Sequence, residues 1–464
     1  MAEKFDIAVI GSGPGGYAAA IRCSQKGEQK GATVAIIEKE QIGGTCLNRG
    51  CIPSKTLLAS AHIFNIAKNA GVFGVDIENP KVNWPKMQSR KETVVTGFRK
   101  GLTGLIGSNK IKIFQGIGLL AAKNKIAVQG NTPAEIEASK IIIATGAVPI
   151  EIPFMRFDGK TIISSTEALS LAEIPKSMVI IGGGVIGCEM ACIYSSVGAK
   201  ITIVEALPSI LPFEDEWVGQ LLTREFKKSG IDVIAGKKVT ACEKSDSGVK
   251  LSLEDGTSVE AEKVLVSVGR RALCDKQTVD NLSLEMKGSI IKVNDRMETS
   301  VSGVYAIGDA VGTTYLAHGA FLEAEIAADN AMGKEARIKD YSLVPKAVYT
   351  FPEVASVGKN EIKCKQAGID YTVGRAFFRA NGRSLAHNET VGEVRVVRDR
   401  KTDKILGVTM VGASVTEMIA TARALLGCNE KISDIIFAHP TVSEVLKEAW
   451  EDAFGFSLHT PPRT

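Results

Sequence analysis

Long apolar runs are missing from this 464-residue chain. No stretch approaches the roughly 18 uninterrupted apolar residues that a membrane helix needs, which predicts no membrane span. A charge excess is missing too: 56 Lys and Arg against 52 Asp and Glu leave a net charge of +4. That excludes the strongly basic footprint with which nucleic-acid binders displace counterions. Proline is sparse, 15 residues against 46 glycines, so a collagen-like or proline-rich chain is excluded and many tight turns are expected. Residues 1–6 (MAEKFD) carry neither a basic stretch followed by an apolar core nor a cleavage pattern, which predicts no secretory signal. The nine cysteines are odd in number and scattered. They do not read as a secreted disulfide framework and predict reduced thiols in a cytoplasmic protein.

What is present is the composition of a packed globular chain, 45% hydrophobic and 23% charged. At about 150 residues per domain the length predicts roughly three domains. Residues 6–10 (DIAVI) form a short apolar run that stops at glycines, residues 18–25 have a helical composition, and residues 33–38 (TVAIIE) form a second strand. This order is a βαβ unit. A polar loop at 27–31 is expected to bulge into solvent between its helix and second strand. The same grammar returns at residues 178–205, and Pro175 marks a plausible start for this second unit. Residues 141–144 and 264–268 are continuous apolar runs ending at glycine, as buried parallel strands should be. From about Lys346 the style changes to alternating strands (393–397 and 405–411) followed by amphipathic helices, an α+β pattern.

Three motifs carry chemistry. The first is Gly11, Gly13 and Gly16 in GSGPGG, with Glu38 closing the next strand. Such a loop permits a tight turn, backbone approach to a pyrophosphate and close helix–strand packing, while the acid suits ribose hydroxyls. The second is Gly182, Gly184 and Gly187 in GGGVIG, with Glu205 closing its strand. A carboxylate there suits a free 2′-hydroxyl, and residues 206–216 contain no Arg or Lys, so NAD is favoured over NADP. The third is residues 43–55 (GGTCLNRGCIPSK), where Cys46 and Cys51 stand five apart just before Pro53 and a helical run expected from Ser54. A cysteine beside a helix N-terminus has a stabilised thiolate, suited to attack on a disulfide or to donation toward an electron-poor ring. A zinc half-site and two passively buried thiols are the other readings, although zinc finds no second Cys or His pair nearby. Cys23, Cys188, Cys192 and Cys428 occur in apolar helical contexts and are expected to be buried. His439 and Glu444 read as a base and its orienting carboxylate, the histidine on a loop and the acid one turn into a helix. The other four histidines lack such support; His318 is expected near the first dinucleotide site, and His62, His387 and His459 at surface or helix positions.

Residues 43–55 resemble the redox-disulfide signature of the class I pyridine nucleotide-disulfide oxidoreductases, the flavoprotein disulfide reductases. Other pieces fall in that family's order over nearly the whole chain: 144–146 (ATG), 303–309 (GVYAIGD), 316–318 (LAH), 349–355 (YTFPEVA) and 439–444 (HPTVSE). The resemblance implies an α/β fold of two Rossmann-like nucleotide-binding domains and a C-terminal α+β dimerisation domain. Its boundaries are a FAD-binding domain with the redox disulfide at 1–150, a NAD-binding domain at 151–275, a segment completing the FAD domain at 276–345, and an interface domain at 346–464.

In site residues the resemblance implies FAD held by Gly11, Gly13, Gly16, Glu38, Lys39, Thr45, Thr145, Gly146 and Asp309, with Lys55 near the flavin N5 and backbone contacts at Gly118 and Ala317. NAD is implied at Gly182, Gly184, Gly187, Glu205, Val239, Gly269 and Arg270. It makes Cys51 the thiol beside the isoalloxazine and Cys46 the thiol that exchanges with substrate, pairs Glu189 with Lys55, and sets His439 and Glu444 opposite the disulfide of the other subunit of a homodimer. Within the family the pattern is most similar to members that oxidise a protein-bound dihydrolipoyl group with NAD⁺. That implies a lipoyl-bearing acyltransferase or carrier protein of 2-oxoacid dehydrogenase complexes, or of the glycine cleavage system, as partner. Glutathione or mercuric reduction, and a non-catalytic docking role, are the alternatives. Two departures from the family pattern are Arg271-Ala272-Leu273 after Arg270, where Arg-Pro-Asn is common, and Phe351, where His is common.

Overall fold

A computed structural model describes residues 2–26, 32–245, 248–428 and 432–459; the polar loop expected at 27–31 lies outside the described residues. The apolar runs become strands because Ile and Val suit a pleated surface buried on both faces. Glu3–Ile10, Val34–Glu38, Lys112–Gln115 and Ala134–Ile143 form the parallel part of a seven-stranded sheet. Lys125–Gln129 and Ile117–Ala122 extend it antiparallel. A strand from far along the chain, Val304–Ala306, also joins it, pairing Val304 with Ile141. The helix Pro14–Lys26 packs on this sheet beside Ala317–Ala331.

A second sheet of five parallel strands has the order Ile231–Ala235, Lys200–Glu205, Ser177–Ile181, Lys263–Val266 and Ile162–Ile163. Beside it lies a three-stranded antiparallel sheet, Val239–Ser245, Gly248–Leu253 and Ser258–Ala261. The chain passes between the first two sheets twice. Both passages lie together, Ala147–Pro149 running antiparallel to Arg270–Ala272. The departure at 271–273 therefore falls in this ribbon, where Ala272 is buried against Ala147.

The C-terminal sheet is antiparallel, in the order Lys346–Val348, Glu353–Gly358, Ile405–Gly412, Glu393–Asp399 and Tyr371–Phe377. The helices Val415–Leu425 and Glu444–Phe454 cover it. One apolar core joins the N-terminal, middle and C-terminal parts of the chain: Leu57 and Trp84 from the first, Tyr194 and Leu222 from the second, and Val348, Val354 and Val411 from the C-terminal sheet. Phe351 packs there too, its ring stacked on His62 with centroids 5.5 Å apart. Among the described residues no helix is long and apolar enough to cross a membrane.

Candidate active site

Each glycine loop is forced by close contacts. Gly11 has φ +102°, and a Cβ there would lie 2.3 Å from the carbonyl oxygen of Ala144. A Cβ on Gly16 would lie 2.0 Å from the Gly11 carbonyl oxygen, while Gly13 meets nothing within 4 Å. Gly16 thus lets helix close on strand, and Gly13 leaves open space for a ligand. The second loop repeats the pattern: Gly182 against Ser267, Gly187 against Gly182, Gly184 open.

The two strand-end acids are tied back to their own loops. Glu38 is buried; its Oε2 accepts from the Ser12 backbone N–H at 2.9 Å and the Ser12 hydroxyl at 2.6 Å. Glu205 is buried likewise, its Oε2 accepting from the Gly183 N–H at 2.6 Å and its Oε1 from the Leu207 N–H at 2.7 Å. Each carboxylate oxygen keeps acceptor capacity for a ribose hydroxyl.

The cysteine segment is more helical than its composition predicts. Cys46 lies within a short helix, Gly44–Arg49, and Cys51 itself opens an 18-residue helix, Cys51–Lys68. The expected start at Ser54 is three residues late because Pro53 fits the first turn, where its missing N–H is not needed. Asn48 Nδ2 donates to the carbonyls of Ile42 (3.0 Å) and Gly44 (2.9 Å), fixing the turn. The reduced sulfurs hydrogen-bond to each other and divide the charge. The Cys46 thiol's hydrogen bond, with the Lys55 ammonium helping and burial opposing, lowers the Cys51 thiol to about 7. The same hydrogen bond, with burial, raises that of Cys46. Ionisation of the pair thus falls to Cys51, near neutral pH, while Cys46 stays a thiol.

Lys55 Nζ lies 2.7 and 2.9 Å from the two oxygens of buried Glu189. Asp309 faces the guanidinium of Arg270 at 3.8 Å. Burial raises the Asp309 carboxyl, with Arg270 opposing. Arg270 also donates to the Ala147 carbonyl, and the Thr145 hydroxyl to that of Leu273, so both passages of the chain are stitched at this point.

One cavity of about 2130 Å³ gathers these groups, about twice the upper end of ordinary small-molecule pockets. It is lined by Gly11, Gly13, Glu38, Lys39, Thr45, Cys46, Cys51, Lys55, Gly118, Thr145, Gly146, Asp309 and Ala317 on one side. Gly182, Gly184, Glu189, Glu205, Val239, Gly269 and Arg270 line the other. Gly16 and Gly187 do not line it; they act in packing. His318 lines it and its Nε2 sits 2.6 Å from the Pro345 carbonyl. The open glycine cradles, the paired strand-end acids and the length of the cavity fit two dinucleotides, FAD and NAD, with the dithiol between them.

His439 and Glu444 are brought together with each other but not into this cavity. His439 Nδ1 lies 2.9 Å from Glu444 Oε1, and Glu444 Oε2 accepts from the Thr441 N–H at 2.7 Å. The His439 side chain is 80% exposed. Glu444 is the first residue of its helix rather than one turn in. His459, expected to lack support, makes the same kind of pair on that helix, Nδ1 to Glu448 Oε1 at 2.7 Å. Cys23, Cys188 and Cys192 are buried, but Cys428 is exposed, since its helix stops at Leu425 and leaves it three residues beyond in a turn.

Three residues of the site carry roles that no motif assigns. Ser12 looks like a spacer between glycines. Glu323 looks like a surface acid on a helix, yet it is buried and accepts from the Gly308 N–H (2.6 Å) and the Tyr341 hydroxyl (2.8 Å), holding the turn that carries Asp309. Tyr349 donates its backbone N–H to Glu189 Oε1 at 3.1 Å.

Two dinucleotide cradles flanking a dithiol define a nucleotide-linked disulfide oxidoreductase. Residues 5–324 match the family described as pyridine nucleotide-disulphide oxidoreductase and residues 344–450 match its dimerisation domain, and the chain belongs to this family. It is 38% identical over 461 residues to a dihydrolipoyl dehydrogenase of Bacillus subtilis, covering 98% of this chain and 99% of the relative. To the dihydrolipoyl dehydrogenase of Chlamydia muridarum it is 40% identical, covering 100% and 99%. Among solved structures, the LpdA protein of Mycobacterium tuberculosis shares the fold with a TM-score of 0.89 at 24% identity, over 97% of this chain and 99% of that one. The flavoprotein disulfide reductase RclA of Escherichia coli superposes with a TM-score of 0.86 at 26% identity, over the same shares.

Proposed function

We propose that this protein is a dihydrolipoyl dehydrogenase, oxidising a carrier-bound dihydrolipoyl group to its cyclic disulfide with reduction of NAD⁺ to NADH. The observation that carries the reading is the Cys46–Cys51 pair set between two glycine cradles in one cavity, with Lys55 and Glu189 beside it. The relatives named above support it over glutathione or mercuric reduction and over a non-catalytic docking role.

In this reading residues 1–150 and 276–345 hold FAD, 151–275 hold NAD, and 346–464 form the interface of a homodimer. Working from the disulfide state, a substrate thiolate attacks Cys46 Sγ, and the S–S bond breaks to release the Cys51 thiolate. His439 of a second copy takes the proton of the first substrate thiol through Nε2 and passes it to water, then takes that of the second and returns it to the Cys46 thiolate that leaves, with Glu444 fixing the ring by its Nδ1–H. The second substrate sulfur then attacks the sulfur bound to Cys46, closing the substrate disulfide and leaving a dithiol enzyme. The chemistry that bound FAD supplies is acceptance of an electron pair from a thiolate and its onward passage as hydride to NAD⁺. Lys55 stabilises the Cys51 thiolate during that transfer, and Glu205 selects a free 2′-hydroxyl. The partner is a lipoyl-bearing acyltransferase or carrier protein of a 2-oxoacid dehydrogenase or glycine cleavage complex, and the location is cytoplasmic.

The test follows NADH formation from free dihydrolipoamide by the purified, FAD-loaded protein. Turnover with NAD⁺ and little with NADP⁺ is the expected result. No turnover with either coenzyme overturns the reading.

A further inference from the structure

Lys55 is held by more than its ion pair. Its ammonium lies 4.5 Å from the centroid of the Tyr349 ring, while the Tyr349 backbone N–H donates to the same Glu189 carboxylate at 3.1 Å. Tyr349 follows the strand Lys346–Val348 of the C-terminal sheet and lines the cavity. Lys55 and Cys51 are four residues apart on one helix, the spacing that stacks side chains on one face.

We propose that Tyr349 is a positioning residue whose ring face holds the Lys55 ammonium beside Cys51 and thereby sets how readily that sulfur ionises. The argument concerns what each Lys55 partner does to its charge. Glu189 anchors the ammonium but brings a full negative charge that opposes a thiolate nearby. An aromatic face attracts a cation through its quadrupole and adds no net charge. The ring therefore fixes Lys55 while leaving its field available to Cys51. The charged and titratable groups facing Cys51 are Cys46 from the short helix, Lys55 from its own helix, Glu189 from the helix Val185–Ser196, and Arg270 from the two-stranded ribbon. Glu353 and Glu417 face Tyr349 itself. Of those facing Cys51, Lys55 is the one whose ammonium sits over the ring.

The inference rests on Cys46 and Cys51 being the redox pair, and its test reads ionisation rather than turnover. In FAD-loaded Cys46→Ser protein, which cannot form the disulfide, alkylation of Cys51 by iodoacetamide is followed against pH by peptide mass spectrometry. Tyr349→Phe keeps the ring and is expected to leave the midpoint unchanged. Tyr349→Leu removes the ring and is expected to raise the midpoint by about half to one pH unit, read as a three- to ten-fold slower alkylation on the acid flank. An unmoved midpoint in folded Tyr349→Leu, or an equal shift in Tyr349→Phe, overturns the inference. Should Tyr349→Leu not fold, phenylalanines of increasing fluorination at 349 keep the shape and weaken the ring face. The midpoint must then climb with fluorine number, and a flat series overturns the inference. Failure here with normal dihydrolipoamide turnover in the unmodified protein leaves the proposed function standing; shifted midpoints without such turnover do the reverse.

Discussion

Lys55 and Glu189 are 134 residues apart in the chain and 2.7 Å apart in the fold. The lysine belongs to the helix that begins with Cys51, the glutamate to the helix that follows the second glycine loop. One ion pair thus links the thiols to the second nucleotide cradle. Glu189 is buried while the Lys55 side chain keeps 33% of its exposure, so the pair lies between the surface and interior limits. Glu189→Gln is expected to lower unfolding free energy by about 2 kcal/mol, measured by denaturant titration of the FAD-loaded protein. Turnover should fall at least about ten-fold, because a displaced Lys55 no longer steadies the Cys51 thiolate.

In the proposed mechanism Cys46 is the sulfur that exchanges with substrate, and Cys46→Ser removes it. Dihydrolipoamide-dependent NADH formation is expected to drop by about 1000-fold or more, with flavin still bound. Near-normal steady-state rates would show that the dithiol is not the route of the electrons.

In the proposed mechanism the histidine pair acts on protons. His439→Gln is expected to lower kcat/KM for dihydrolipoamide by about 100-fold or more. Glu444→Gln should give a smaller loss, since the imidazole keeps its place on the loop but loses the carboxylate that fixes its tautomer. The measurement is a pH–rate profile of both variants, and equal, unperturbed profiles would remove the pair from the reaction.

The reduced protein should gain stability as pH rises. The Cys51 thiol is lowered to about 7 in the folded chain, against about 8.5 for an ordinary thiol. Between those values the unfolded state binds more protons than the folded one, so stability increases with pH. It is fully present above the ordinary value and lost as pH falls through about 7. Thermal unfolding of dithiol-reduced protein from about pH 6 to 8 is expected to show this rise, before the raised Cys46 thiol opposes it at higher pH, and Cys51→Ser to lack it.

Gly11→Ala places a methyl 2.3 Å from the Ala144 carbonyl oxygen, at a φ of +102° that alanine disfavours. The strand ending at Ile10 and the turn after Ile143 must then separate. Loss of flavin from the purified variant is the expected outcome, read from visible absorbance; Gly13→Ala, with open space around it, should fold and bind flavin weakly.

The two βαβ units and the cysteine segment were legible because their causes are local. A tight turn demands glycine wherever it occurs, and a five-residue thiol spacing is visible without any fold. Glu444 was legible as a partner for His439 but not as the first residue of its helix, because nothing adjacent to it caps the helix with a side-chain hydrogen bond. Ser12, Glu323 and Tyr349 were not legible. Each owes its role to a contact across at least 15 residues; serine and glutamate at such positions read as spacer and solvated acid, and the motif that opens with Tyr349 names no partner for it. The burial expected for Cys428 failed for a related reason. Composition marks an apolar neighbourhood, but the residue's exposure depends on where the helix before it ends.

The doubled ribbon of Ala147–Pro149 and Arg270–Ala272 means that the middle of the chain leaves and re-enters its host at adjacent points. A segment attached by such a stem can be exchanged for a foreign counterpart without re-threading what surrounds it. If that segment holds NAD as proposed, coenzyme preference is open to transplantation as a cassette, provided the graft brings an acid where Glu189 meets Lys55 and an apolar face for Leu57 and Val348.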